Sequence, residues 1–340
     1  VTLGEELGLP AGRDVAGQLN AVLRRLGFQR VFDTAFTADL TIMEEASELV
    51  HRLKNGGRLP MMTSCSPGWI KYVETFSPEH LENLSTCRSP QQMLGSLIKR
   101  YFAPKEGMDP AKVMSVSIMP CTAKKFEAGR AELGNHGMAD VDAVLTTREL
   151  ARLIRMHGIV MDELSAEPAD DPFGNRTTAG RLFGATGGVM EAAVRTAHWM
   201  VTGRELEQLE VTPVRGMNGV KEARVNIDGL ELGLAVVSGL GNAGRLLEQL
   251  RQGRDDLHFI EVMTCPGGCI NGGGQPHGSG AGSVQARMNA LYDIDQQGSV
   301  RVAHQNPAVQ RLYEELLGSP LSHVSHELLH THYAAREALV

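Results

Sequence analysis

Residues 16–26 carry Leu19, Val22, Leu23 and Leu26 at intervals of three and four, which predicts an amphipathic helix. The apolar pair Val31 and Phe32 predicts a short strand after it. Thr37 or Asp39 then stands where a helix cap is expected, ahead of a helix that runs to Asn55 and stops at Gly56 and Gly57. That helix puts Ile42, Ala46, Leu49, Val50 and Leu53 on one face. Glu45 and Glu48 lie side by side next to it, and on pattern alone they read as a solvated face.

Three further apolar runs share a design. Leu59–Thr63, Val113–Met119 and Phe259–Met263 each read as a strand, and each ends in a turn that carries a cysteine. Residues 141–145 predict another strand, followed by a helix over 147–157. Residues 163–178, rich in Asp, Pro and Ala, read as an exposed excursion. Gly184-Ala-Thr-Gly-Gly opens a helix through Val189, Ala193 and Ala197, and reads either as an anion site at the first amides or as a tight strand-to-helix turn. Residues 284–293 and 307–317 read as helices, residues 278–283 as a Gly-Ser loop, and the segment from about Ser322 as a histidine-bearing helix.

The 340 residues suffice for one large or two moderate domains, and a net charge of -7 argues against a nucleic-acid footprint. No apolar run reaches the length of a membrane span and no secretory leader opens the chain, so a cytoplasmic location is expected. The first residue is Val1, which leads us to expect a missing upstream segment. Five cysteines, at 65, 87, 121, 265 and 269, cannot all pair. Four of them sit beside Pro, Gly or Ser at the ends of apolar runs, which favours metal over disulfides; Cys87 lacks that setting and reads as a packed residue.

Open α/β sheets bind ligands beyond the carboxyl ends of their strands, so the four thiols are placed to converge. An iron–sulfur cluster fits them better than zinc, although spacing leaves zinc open. Gly272, Gly273 and Gly274 remove the Cβ atoms that would keep a bulky ligand away.

Two motifs point elsewhere. Gly239, Gly241 and Gly244 match a dinucleotide fingerprint, with Glu261 at the distance of a ribose contact. The strand carrying Glu261 runs straight into the cysteine loop, however, and no second strand-helix-strand unit follows, so the glycines read as a compact connection. His326-Glu-Leu-Leu-His330 matches a zinc-protease motif, but too little chain follows for a third ligand, and the histidines read as packing or capping groups.

Thr63-Ser-Cys-Ser-Pro-Gly-Trp, Met119-Pro-Cys-Thr-Ala-Lys-Lys-Phe-Glu and Glu261-Val-Met-Thr-Cys-Pro-Gly-Gly-Cys-Ile-Asn-Gly-Gly-Gly-Gln-Pro together resemble the three signature segments of [FeFe]-hydrogenases. Phe36–Glu45, Ser89-Pro-Gln-Gln-Met and the closing His-Glu-Leu-Leu-His-Thr-His-Tyr extend the resemblance over nearly the whole chain. It implies one catalytic domain over 1–340, its N-terminal part truncated, with a segment from about 285 similar to a fused small subunit. The implied fold is α/β: two lobes of twisted, mostly parallel sheet flanked by helices, with the metal cluster in the cleft between them.

The implied cofactor is a [4Fe-4S] cubane joined to a di-iron unit bearing CO, cyanide and a dithiolate amine. The implied reaction interconverts protons, electrons and dihydrogen, with ferredoxin or an upstream cluster domain as electron partner and maturation proteins to load the di-iron unit. By resemblance, Cys121, Cys265 and Cys269 are cubane ligands, Cys269 being the bridge. Lys124 matches a cyanide partner, and Met119, Pro120, Thr122, Gln91 and Met263 line the cofactor.

Cys65, Glu45, Ser85 and Glu48 match a proton relay, which overturns the solvated-face reading of the two acids. The chain departs from the family where most members have two cysteines before Pro-Gly-Trp and this one has Cys65 then Ser66. The fourth corner therefore falls to Ser66 by register or to Cys65 by ligand chemistry, or stays open. A cubane-only iron–sulfur assembly relative and a hydrogen-sensing member are the alternative functions.

Overall fold

The computed structural model describes residues 1–135, 137–278 and 280–338. Two sheets position the site. Their strands are β1 (Met61–Met62), β2 (Val116–Met119), β3 (Ala143–Thr146), β4 (Val220–Ile227), β5 (Leu230–Ser238) and β6 (Phe259–Met263). In the first sheet the order is β1-β6-β5-β4; β1, β6 and β5 run parallel, and β4 joins antiparallel through a hairpin. β6 is buried at all five positions because both faces of its sheet are covered, which is why its sequence is a continuous apolar run rather than an alternation. The second sheet pairs β2 with β3 in parallel.

The helices used below are α1 (Ala16–Arg25), α2 (Thr34–Asn55), α3 (Pro67–Phe76), α4 (Pro90–Leu97), α5 (Ala123–Ala128), α6 (Thr147–Met156), α7 (Gly188–Thr202), α8 (Leu240–Arg251), α9 (Ala281–Gln297), α10 (Pro307–Leu312) and α11 (His323–Leu329). One face of the first sheet packs Met62, Val237 and Ile260 on Trp69, Val73 and Leu246 of α3 and α8. The other packs Met61, Leu234 and Phe259 on Leu49 of α2 and Met190 and Val194 of α7. A separate core joins α1 and α6 through Val22, Leu150 and Ile154. The mixed α/β architecture follows the expectation, with the second sheet reduced to one pair of strands.

Four local expectations change. The cap of α2 is Asp33, whose carboxylate accepts from the Ala35 amide at 2.9 Å, so Thr37 and Asp39 lie inside the helix. Asp39 is fully buried and accepts from Thr177, Gly180 and Asn306, an anchor for three distant segments. Val31 and Phe32 join no strand, whereas β4 was not foreseen although Asp228 and Gly229, both at positive φ, give its hairpin turn. The stretch 163–178 is no simple exposed excursion, since Phe173 and Thr177 are buried. Of the expected loop 278–283, Ser279 lies outside the described residues and α9 begins at Ala281. No helix is long and apolar enough to cross a membrane among the described residues.

Candidate metal centre and proton path

β1 and β6 are hydrogen-bonded neighbours in parallel register, with Met61 opposite Phe259, so Cys65 and Cys265 leave the same carboxyl end of one sheet. Cys121 arrives from the end of β2 in the other sheet. The two approaches are clamped by the Gly274 amide, which donates to the Pro120 carbonyl at 2.8 Å. A Cβ at Gly272 would stand 2.4 Å from that carbonyl oxygen, so this glycine admits the close approach of the chain's own backbone. Gly268, at φ +92°, makes the turn between the two cysteines of the loop.

Cys65, Cys121, Cys265 and Cys269 are all free and half-buried. Burial first, and then the neighbouring Cys121, pushes the Cys269 thiol up to about 12, against the opposing charge of Lys124. Burial and Cys121 push Cys265 up in the same way. Bound iron would reverse both shifts by stabilising thiolate. Among the described residues, only Glu48, Cys87 and His330 bring three ligand atoms within 4.8 Å of one another. Cys121, Cys265 and Cys269 do not place all three sulfurs within that distance. Glu48 and His330 are already spent on hydrogen bonds to Ser85, Arg52, Thr86 and Glu44, so their group reads as a polar network.

Lys124 reaches this cleft from the first turn of α5. Its Nζ donates to the Cys65 carbonyl at 2.9 Å and to both oxygens of Glu127 at 3.0 and 2.9 Å. Gln91 donates to the Lys124 carbonyl and to Glu127, each at 3.2 Å. Met119 is buried beside Val141 and Val144, and Met263 is buried at the end of β6. Thr122 lies across from Gly273. Ser66 is engaged away from Glu45: its Oγ lies 2.6 Å from Thr264 Oγ1 and accepts from the Thr264 amide at 3.3 Å, directly before Cys265.

A line of ionisable groups leads outward. Glu45 is buried in α2, and burial, followed by the charge of Glu48, pushes its carboxyl up to about 8; its hydrogen bond with Ser85 opposes. Burial and then Glu45 raise Cys65, which puts that thiol in electrostatic contact with the acid. Ser85 Oγ donates to Glu48 at 2.8 Å, and Arg52 donates to Glu48 at 2.6 Å. With Glu45 protonated at neutral pH, its O–H can donate to Ser85 while Ser85 donates to Glu48, one turn of α2 further on. Both acids are buried, so the solvated-face pattern fails here.

Glu127 and Arg52 escaped the sequence reading, although each sits at helical spacing from an identified partner, Lys124 and Glu48. Glu261 was read differently. Its buried carboxylate accepts from the amides of Gly187 and Met190 at 2.6 and 2.8 Å, so the anion at the start of α7 is a side chain of this protein and not a ribose partner. The turn it holds binds the cysteine loop through Thr186 to Gly267 and Ile270 to Gly184. Glu261→Ala is expected to cost about 3 kcal/mol in urea unfolding and to lower iron retention, since two buried amides lose their acceptor. Gly239 simply turns β5 into α8 at φ +89°, and Gly244 makes room for the Tyr72 hydroxyl.

Residues 1–273 match the family described as iron-only hydrogenase large subunit, C-terminal domain, and residues 282–336 match iron hydrogenase small subunit. The chain is 48% identical to the NADP-reducing hydrogenase subunit HndD of Solidesulfovibrio fructosivorans, over 99% of this chain and 59% of that protein. It is 35% identical to cytosolic iron-sulfur assembly component 3 of Bos taurus, over 95% of this chain and 70% of that one. The structure of [FeFe]-hydrogenase HydA1 from Chlamydomonas reinhardtii superposes with a TM-score of 0.89 at 42% identity, covering 99% of this chain and 92% of that chain. Relative to HndD, then, the chain spans about three-fifths of the length. The match to the large-subunit model runs through all three cysteine turns and both acids of α2, and the chain belongs to the iron-only hydrogenase family, membership of which implies an iron–sulfur and di-iron site.

Proposed function

We propose that the chain catalyses the reversible conversion of dihydrogen to two protons and two electrons. The observation that carries this reading is the line from Cys65 through Glu45, Ser85 and Glu48 to Arg52, beginning beside the thiols of the cluster cleft. The cofactor implied by family membership, a [4Fe-4S] cubane joined to a di-iron unit with CO, cyanide and dithiolate amine ligands, would supply the redox chemistry at this cleft. Cys121, Cys265 and Cys269 would hold it, and Lys124, paired with Glu127, would offset its negative ligands. Met119, Met263 and Gln91 wall it from water.

Cys65, coupled to Glu45, would pass a proton between the cleft and that acid. That acid holds or releases a proton near neutral pH, and Ser85 passes it to Glu48, whose buried carboxylate accepts from Arg52. Ferredoxin or an attached cluster domain exchanges the electrons, and maturation proteins load the di-iron unit.

Ser66 supplies the fourth corner. Its contact with Thr264 keeps it next to Cys265, whereas Cys65 is coupled to Glu45. A serinate oxygen is a harder ligand than thiolate, so Ser66→Cys is expected to raise the cubane potential and slow iron loss to a chelator. No change in either would assign the corner to Cys65. The function itself is tested by dye-linked hydrogen uptake of the anaerobically loaded protein: uptake that follows di-iron loading supports it, and loaded protein without uptake or evolution overturns it.

A further inference from the structure

A proton that reaches Glu48 still needs a way to solvent. Glu48 is buried, and the Arg52 guanidinium that faces it also donates to the carbonyls of Arg58, Glu82, Asn83 and Leu84. A guanidinium steadies a carboxylate but does not give up its own protons inside a protein, so it carries none onward. On its other side Glu48 meets the end of α11. A Glu48 oxygen, the Cys87 sulfur and a ring nitrogen of His330 lie within 4.8 Å of one another. The backbone holds them there: the Thr331 amide donates to the Thr86 carbonyl and the Arg88 amide to the Leu329 carbonyl, both at 2.8 Å, while the Thr86 amide donates to Glu48 at 3.1 Å.

The surroundings of His330 suit a proton acceptor. Its Nε2 lies 3.1 Å from Glu44 and its Nδ1 2.8 Å from the Thr86 hydroxyl. Burial opposes charge on Glu44, but hydrogen bonds from His330, Tyr313 and the Leu321 amide hold its carboxyl below the ordinary range. An ionised carboxylate only accepts, so Nε2 carries the hydrogen and Nδ1 keeps its lone pair. The His326 ring stands 4.4 Å from that of His330, centre to centre, and is exposed. Burial, and then the charge of His330, hold His326 below its usual range, so a proton that reaches it passes readily to water.

We propose that protons leave the relay through His330, passing from Glu48 to the exposed His326, with Glu44 as the buried counter-charge. The route rests on the hydrogenase reading for the source of its protons. In each outward passage the Glu48 O–H bond breaks and an Nδ1–H bond forms on His330, leaving a carboxylate and an imidazolium. Glu44, accepting from Nε2, stabilises that imidazolium. The imidazolium then yields its proton to His326 and returns to neutral, and the same steps run inward when dihydrogen is evolved. The other charged or titratable groups around the ring are Cys87 and Arg88, whose Nε donates to the His330 carbonyl, with Tyr313 behind Glu44 and His332 beside His326.

Two experiments separate this route from a merely structural role. Histidine-selective NMR of the apoprotein is expected to show neutral His330 as the Nε2–H tautomer, with its titration moved to lower pH by Glu48→Gln, which removes the facing carboxylate. The Nδ1–H tautomer, or a titration that the variant leaves unmoved, overturns the proposal. In loaded protein, His330→Gln keeps a hydrogen-bond donor and an acceptor but takes up no proton. Its dye-linked hydrogen uptake is expected to fall about 100-fold, with the KM for dihydrogen and the infrared bands of the cofactor unchanged. His330→Ala, which leaves room for a free ring, is expected to regain uptake when imidazole is added. Uptake equal to the parent in His330→Gln, or a loss in His330→Ala that imidazole does not relieve, overturns the proposal. A loaded parent without uptake removes the hydrogenase reading instead, and the NMR titration then decides the His330 route by itself.

Discussion

Cys269→Ala is expected to abolish hydrogen turnover to the detection limit and to remove the di-iron unit, while the folded apoprotein keeps its secondary structure. Cys269 stands at the turn that Gly268 permits, faces Lys124 and Cys121, and sits deeper than Cys265 in the loop after β6. No neighbouring side chain can replace it, since Cys65 is coupled to Glu45 and Ser66 to Thr264. Iron counted per chain should fall with the activity. Retained di-iron signal and turnover would mean that another residue joins the two parts of the cofactor.

The second large effect is that of Glu45→Gln. The amide cannot accept and release a proton, so turnover is expected to fall by about 10³-fold with the cofactor spectrum unchanged. The same variant has a signature in stability. The Glu45 carboxyl holds its proton up to about pH 8 when folded, against an ordinary value of 4.5 in the unfolded chain. The unfolded state therefore binds fewer protons between these values, and stability falls as pH rises from about 4.5 to 8. A shift of that size corresponds to at most about 5 kcal/mol across the window. Urea unfolding of Glu45→Gln apoprotein should show a flatter pH profile than the parent. Normal turnover, or an unchanged profile, would remove Glu45 from the relay.

The sequence made the strand ends legible because β1, β2 and β6 each finish in a Met and a turn bearing cysteine, a pattern that survives burial on both faces. α2 was legible in extent but not in environment. A helix surrounded by other helices buries its polar side as well, and no periodicity in residues 34–55 tells that Glu44, Glu45 and Glu48 are covered. The resemblance to a family corrected what the pattern had misread. An anion at the start of α7 was one of two readings of that turn, and that Glu261 supplies it depends on how β6 lies beside α7, which is a tertiary fact. Val31 and Phe32 were strand-like in composition, and a strand is defined by its neighbours as much as by its residues.

The most direct measurement of the central claim is the infrared spectrum of anaerobically matured protein between roughly 1,800 and 2,100 wavenumbers, where metal-bound CO and cyanide absorb and side chains hardly do. Sharp bands there that shift under dihydrogen are the predicted result. Iron and sulfide present after maturation without such bands would contradict the account and favour a cubane-only protein akin to the assembly component.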